Sequence, residues 1–202
     1  MSGISLFSAV LLTGLLVACS LPVRNIPPLT RLALNPIETP QRRATPSGGT
    51  VIVDLPSTVR ELDTYRIALK KNDRDWDYYA GAGWSNFLPI VVRDDVAKTL
   101  QQTRLFKSVV TDKTGQAGDR ILKIEIQSFQ AEYGAVSAMP VARVRMSVSL
   151  VGYLQQAQLA SFTVSASAKV AANNLSAIQS AFAAAFSDAQ RQIVRKLGAA
   201  HK

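Results

Sequence analysis

The chain has 202 residues, 48% of them hydrophobic and 18% charged, which suits one folded domain with a real core and excludes a disordered polyelectrolyte. Lys and Arg number 23 against 14 Asp and Glu, for a net charge of +9. One Cys excludes a disulfide framework or a multi-Cys zinc site, and the only His, His201, lies in the C-terminal tail, which argues against catalysis built on a placed histidine.

Ile4 to Ala18 is an uncharged apolar run, with no Lys or Arg before it. Spanning a bilayer takes about 20 apolar residues, so the run is short for a membrane helix and suits a signal-peptide hydrophobic region. It ends in Leu16-Val17-Ala18-Cys19, followed by Ser20. That is a bacterial lipobox: a branched apolar residue, two tolerant positions with a small one before the cut, then Cys. Residues 1–18 then read as a lipoprotein signal peptide, and the Cys19 thiol as the attachment point of diacylglycerol. A further acyl chain makes such anchoring stable. The plainer alternative is an uncleaved anchor with an incidental thiol. Ser20, in place of the Asp that retains lipoproteins in the inner membrane of enteric bacteria, favours the outer membrane. An exported basic protein meets anionic head groups or acidic partners rather than nucleic acid.

Residues 19–49 read as a lipidated tether. Ser20 to Gly49 holds six of the nine prolines, which stiffens and extends the chain. Fully extended, about 30 residues at ~3.1 Å each reach roughly 90 Å. Leu29 to Leu34 alternates loosely and suits a short edge strand. Arg24, Arg31, Arg42 and Arg43 make the segment basic, for solvation or for attraction to a membrane surface.

Residues 50–202 read as an α+β domain. Thr50 to Leu55 is a strand stopped by Pro56. Tyr65 to Leu69 and Trp76 to Ala80 form a hairpin around the polar turn Lys70 to Asp75. Asn86 to Thr103 is a helix, with Pro89 in its first turn and an apolar face of Leu88, Val91, Val92, Val96 and Leu100. Phe106 and Val109 lead into another strand. Arg120 to Phe129, Ala142 to Leu154 and Leu159 to Val170 alternate apolar and polar, so each has one covered face and one wet face. Leu175 to Leu197 is a helix with Asn174 at its N-cap and Gly198 at its stop. Its stripe is Leu175, Ile178, Phe182, Ala185, Phe186, Ala189, Ile193 and Leu197. The sum is a mostly antiparallel sheet with two main amphipathic helices packed on one face.

Few residue groups suggest chemistry. Asp73-x-Asp75-x-Asp77 opens like a calcium loop, but Tyr78 and Trp84 stand where Gly and Glu are needed. Gly81-Ala82-Gly83 lacks the third glycine or the Gly-Lys-Ser/Thr ending of a nucleotide site. Glu125, Glu132 and Asp188 read as solvated carboxylates. No metal site or cofactor is expected beyond the lipid on Cys19. The aromatic cluster Trp76, Tyr78, Tyr79, Trp84 and Phe87 reads as core, with part of it, Trp84 included, a candidate contact. The connection from Ala131 to Val141, with Tyr133, Val136 and Met139, is a candidate contact loop or a plain hairpin extension.

Tyr78-Tyr79-Ala80 and Trp84, Leu88-Pro89, Leu100, and Arg104-Leu105-Phe106-Lys107-Ser108-Val109 together resemble the core motif of the ABC-type transport auxiliary lipoproteins, which include the paraquat-inducible protein C group. Leu62 to Ile67 is similar to the family's "LDTxRI" segment, and Leu29 to Pro36 to the short strand after its lipobox. Arg104 departs from the pattern, where the family often has Gly or a small residue. The resemblance covers Cys19 to about Leu197. It implies a non-enzymatic envelope lipoprotein, an auxiliary subunit of an ABC permease and ATPase with an Mce-domain substrate-binding protein, moving phospholipids or other hydrophobic molecules. It leaves room for a homo-oligomer. The alternative is a lipoprotein plug or chaperone of outer-membrane or lipopolysaccharide assembly. An envelope hydrolase would need a nucleophile–base pair that the sequence does not offer.

Overall fold

Runs rich in Val, Ile and alternating polar residues become strands, and the two apolar stripes at i, i+4 spacing become helices. The structure is a computed structural model, and it describes residues 29–34, 48–72, 75–134 and 139–200. Cys19, its lipobox residues Leu16, Val17 and Ala18, and Val136 lie outside the described residues. In chain order the elements are β1 (Thr30–Leu32), β2 (Gly48–Val53), β3 (Ser57–Thr58), β4 (Arg66–Lys71), β5 (Asp75–Trp84), α1 (Leu88–Thr103), β6 (Phe106–Thr111), a 3-10 turn (Asp112–Thr114), β7 (Arg120–Tyr133), β8 (Val141–Gly152), β9 (Gln158–Lys169) and α2 (Leu175–Ala200).

β7 is the spine. Along one side it pairs antiparallel with β8, which pairs antiparallel with β9. Its other side is shared by three strands: β2 beside Arg120–Leu122, β3 beside Glu125–Ile126, and β4 beside Ala131–Tyr133, all parallel. From there the sheet forks. β6 extends β2 in parallel, while β5 and then β1 extend β4. The long ladders are antiparallel, as expected, but five of the eight pairings among the described residues are parallel, so the sheet is mixed. Alternation in a sequence reports which face is buried and not which way a neighbour runs.

A bulge between Ile126 and Ser128 changes the parity of β7. Before it Leu122, Ile124 and Ile126 face the core; after it Phe129 and Ala131 do. The extra residue lets one long strand keep its apolar side inward while the sheet twists. The core is centred on rings. Trp84 meets Phe129 and Phe182 edge-on at 5.6 and 5.1 Å, and Phe129 stacks on Phe182 at 5.4 Å. Offset and edge-on pairs of this kind add about 0.5–1.5 kcal/mol beyond their burial.

α2 lies against β8 and β9 and buries Ile178, Phe182, Ala185, Phe186, Ala189, Ile193 and Leu197, the expected stripe except for its first residue, Leu175, which is only partly buried. Asn174 caps it: its Oδ1 accepts from the Ala177 N–H at 2.9 Å. The helix runs on through Gly198 to Ala200, so Gly198 is not the stop. α1 starts at Leu88, two residues later than expected, because the Asn86 Oδ1 accepts from the Phe87 N–H at 2.8 Å and holds the backbone out of the helix. Its C-cap is Arg104, at φ 56°, a left-handed conformation that glycine adopts at least cost.

Candidate functional site

Gly81-Ala82-Gly83 lies in β5, not in a phosphate-binding turn. Four residues, Tyr79 to Ala82, bulge out opposite Ile67, since Arg66 pairs with Gly83 and Ala68 with Tyr78. Gly81 turns the bulge at φ +67°. Gly83 lets two chains touch: a Cβ there would stand 2.8 Å from the Tyr65 carbonyl oxygen, which accepts from the Trp84 N–H. Both glycines serve backbone geometry.

The carboxylates are scattered. Asp77 accepts from the Tyr78 N–H and from Lys71 Nζ, and these bonds hold its carboxyl below the ordinary range. Glu132 accepts from Arg143 Nε at 2.6 Å and from Gln130 Nε2 at 3.0 Å. Glu125 accepts from Gln127 and Asp188 from Arg191. Glu125, Glu132 and Asp188 therefore have separate partners and form no acid–base pair. Among the described residues no three His, Cys, Asp or Glu side chains converge as metal ligands.

One charged group is deeply buried. Arg93, 2% exposed, donates from Nη1 to Asp112 at 2.7 Å and from Nε to Asp94 at 2.9 Å. It clamps α1 to the turn after β6. Its neighbours one turn away on the helix, Pro89 and Ala97, are also buried. Beside it, burial pushes the Asp95 carboxyl up to about 6, with Asp94 adding to the shift and Lys98 opposing it.

Of the sequence-derived contact candidates, Trp84 is overturned as a surface residue. It is fully buried among Phe129 and Phe182, because the bulge in β5 turns it inward. Tyr133 is half-buried, with its hydroxyl 3.0 Å from that of Tyr79. Burial, and then the bond to Tyr133, push the Tyr79 phenol well above its ordinary range. Met139 is exposed at the same end of the β7–β8 hairpin, and Pro140 accepts there from the Val170 N–H. Tyr133 and Met139 thus share one end of the sheet.

A second surface lies around β1 and Phe87. β1 is docked on β5: Leu32 and Leu34 are buried, Arg31 Nη1 donates to the Trp84 carbonyl, and the Ala33 carbonyl accepts from Gln179 of α2. Arg31 also lies 4.7 Å over the Tyr65 ring, and Tyr65 meets Phe87 edge-on at 6.1 Å. Next to Phe87 opens a groove of about 320 Å³, lined by Leu55, Pro56, Thr58, Asp63, Pro89 and Ile90. The clue in the sequence was Phe87, placed just before a helix whose own apolar face does not include it. A third exposed apolar point is the β8–β9 turn, where Leu154 is 84% exposed. No helix among the described residues is long and apolar enough to cross a membrane.

Comparison with known proteins places this geometry. The family model described as ABC-type transport auxiliary lipoprotein component matches residues 32–197. A crystallised protein from Xanthomonas campestris is similar at 22% identity and a TM-score of 0.69, over 85% of this chain and 94% of that one. A second crystallised, uncharacterised protein is similar at 12% identity and a TM-score of 0.63, over 84% and 98%. At these identities the likeness is one of fold. No curated protein matches the sequence.

Proposed function

The chain belongs to the ABC-type transport auxiliary lipoprotein family, and from that premise we propose that it is a non-enzymatic, lipid-anchored subunit of an Mce-type transport system. In this reading Cys19 carries diacylglycerol and an acyl chain. The domain grips an Mce-domain substrate-binding protein and, through it, the permease and ATPase. The system moves phospholipids or other hydrophobic molecules across a Gram-negative envelope, with the anchor in the outer membrane. The family match over residues 32–197 is the observation that carries the reading.

The partner-gripping end is the β7–β8 loop, where Tyr133 and the exposed Met139 flank Val136. Loops carried on a rigid hairpin are suited to such contacts. A photo-cross-linking residue at Met139, in the full-length acylated protein in cells, tests this. The expected product is a covalent adduct with an Mce-domain protein of the same system. An adduct with an outer-membrane or lipopolysaccharide assembly protein would move the chain to that machinery instead. Cys19→Ser is expected to shift the folded protein from the membrane to the soluble periplasmic fraction. If it still sediments with membranes after a salt wash, lipidation is not what holds it.

A further inference from the structure

We propose that the face formed by Leu29, Tyr65, Phe87 and the Leu55 groove lies on the lipid surface to which the protein is anchored. The inference rests on acylation of Cys19 and goes beyond it, by assigning which side of the domain meets the bilayer.

Chain length is the first argument. The 30-residue tether of the sequence reading is interrupted, because Leu29 to Leu34 lies within the fold, with Leu32 and Leu34 buried. Nine residues lie between Cys19 and Leu29, so ten residue-to-residue steps join them. At full extension they span at most about 35 Å, and as a flexible coil about 17 Å. A domain of this size is itself about 40 Å across, from its expected radius of gyration. The side bearing Leu29 is therefore held near the anchor, and the opposite side is held away.

The second argument is what that side presents. Leu29, Phe87 and Leu55 are 36%, 45% and 47% exposed, although large apolar side chains normally bury. They are contiguous. A Cβ on Gly83 would touch both Leu29 and Tyr65, Tyr65 meets Phe87, and Phe87 borders the groove with Leu55. Arg31, fixed over the Tyr65 ring, places a cation at the rim. An aromatic with an apolar body and a polar tip, beside an arginine, is the chemistry of the head-group layer.

Charge does not dominate the contact. Arg31 over the Tyr65 ring is matched by Asp63 in the wall of the groove. The contact is apolar, weak by itself, and sustained because the anchor keeps its local concentration high.

The test uses the acylated full chain in vesicles of phosphatidylethanolamine and phosphatidylglycerol carrying brominated acyl chains. Phe87→Trp reports from the proposed face. Leu154→Trp reports from the β8–β9 turn, on the far side of β7. Circular dichroism checks that both fold, and both positions are exposed. Flotation with the vesicles reads the anchor independently of the face. The expected result is flotation of both, with severalfold stronger bromine quenching at residue 87 than at 154. Quenching should persist in neutral phosphatidylcholine vesicles and in high salt, and fall when Leu55→Glu is added. Flotation with equal or reversed quenching overturns the proposal and leaves the anchor standing. Failure to float removes the anchor itself and the proposal with it. If residue 87 is unquenched and Phe87→Glu abolishes co-purification of the transporter, a protein occupies the face, and the proposal is wrong.

Discussion

Gln192 holds Ser165 by both backbone groups. Its Nε2 donates to the Ser165 carbonyl at 2.8 Å, and its Oε1 accepts from the Ser165 N–H at 3.4 Å. Among the described residues β9 pairs only with β8, which leaves its outer edge without a strand partner there. An uncovered edge twelve residues long, built largely of Ser, Thr and Ala, is a pairing hazard. α2 covers it at the midpoint with a side-chain amide that imitates a strand. Gln192→Leu is expected to cost about 1 kcal/mol in urea unfolding and to speed amide exchange at Ser165 more than at residues of β8. Unchanged exchange at Ser165 would mean that the amide does not guard the edge.

Arg104 occupies a left-handed C-cap, a conformation that glycine adopts at least cost. Arg104→Gly removes the clash of Cβ with the following carbonyl at an exposed site. Thermal unfolding should show a gain of about 1 kcal/mol. A loss would point to a contact of the arginine side chain that outweighs the backbone strain.

Arg93 predicts an asymmetry. Asp94 and Asp112 are partly exposed and remain solvated when the guanidinium is removed, whereas Arg93 has no access to water when the acids are removed. Asp94→Asn/Asp112→Asn should therefore cost about 3 kcal/mol or more, and Arg93→Met clearly less, about 1–2 kcal/mol. Denaturant midpoints of the two variants decide the order; the reverse ranking contradicts the account.

Asp95 sets a pH dependence with a definite sign. Its carboxyl titrates near 6 in the fold and at the ordinary value near 4 when unfolded, so the folded chain holds the extra proton between those values. Stability from this group is present below about pH 4 and is lost as pH rises through about 6. Asp95→Asn should stabilise the protein at pH 7.5 by about 1 kcal/mol, the full shift being discounted for partial solvation, and leave it unchanged near pH 3.5. A variant less stable than the parent at pH 7.5 would show that ionised Asp95 has a partner worth keeping.

Much of this fold is legible in the sequence. The stripe of α2 and its Asn174 cap are visible because helical spacing and capping are local. The strands from Arg120 onward are visible because each has one dry face. The parallel pairings of β7 with β2, β3 and β4 are not, since they join residues some 60 to 70 positions apart with no local mark. Which rings of the aromatic cluster are core and which are exposed is not legible, because the bulge in β5 resets which residues face inward, burying Trp84 while Phe87 stays exposed. The burial of Arg93 has no local mark in the sequence beyond the helical stripe it shares with Pro89 and Ala97. Docking of β1, which shortens the tether, depends on contacts with β5 and α2 that span more than 50 residues.

The central claim is that the chain is held in the envelope through lipid on one cysteine. Mass spectrometry of the mature N-terminal peptide from membranes tests it most directly. The account predicts a chain that begins at Cys19 and carries a diacylglycerol thioether with an acylated amino group. A mature chain that retains Met1, with an unmodified thiol at position 19, would contradict it.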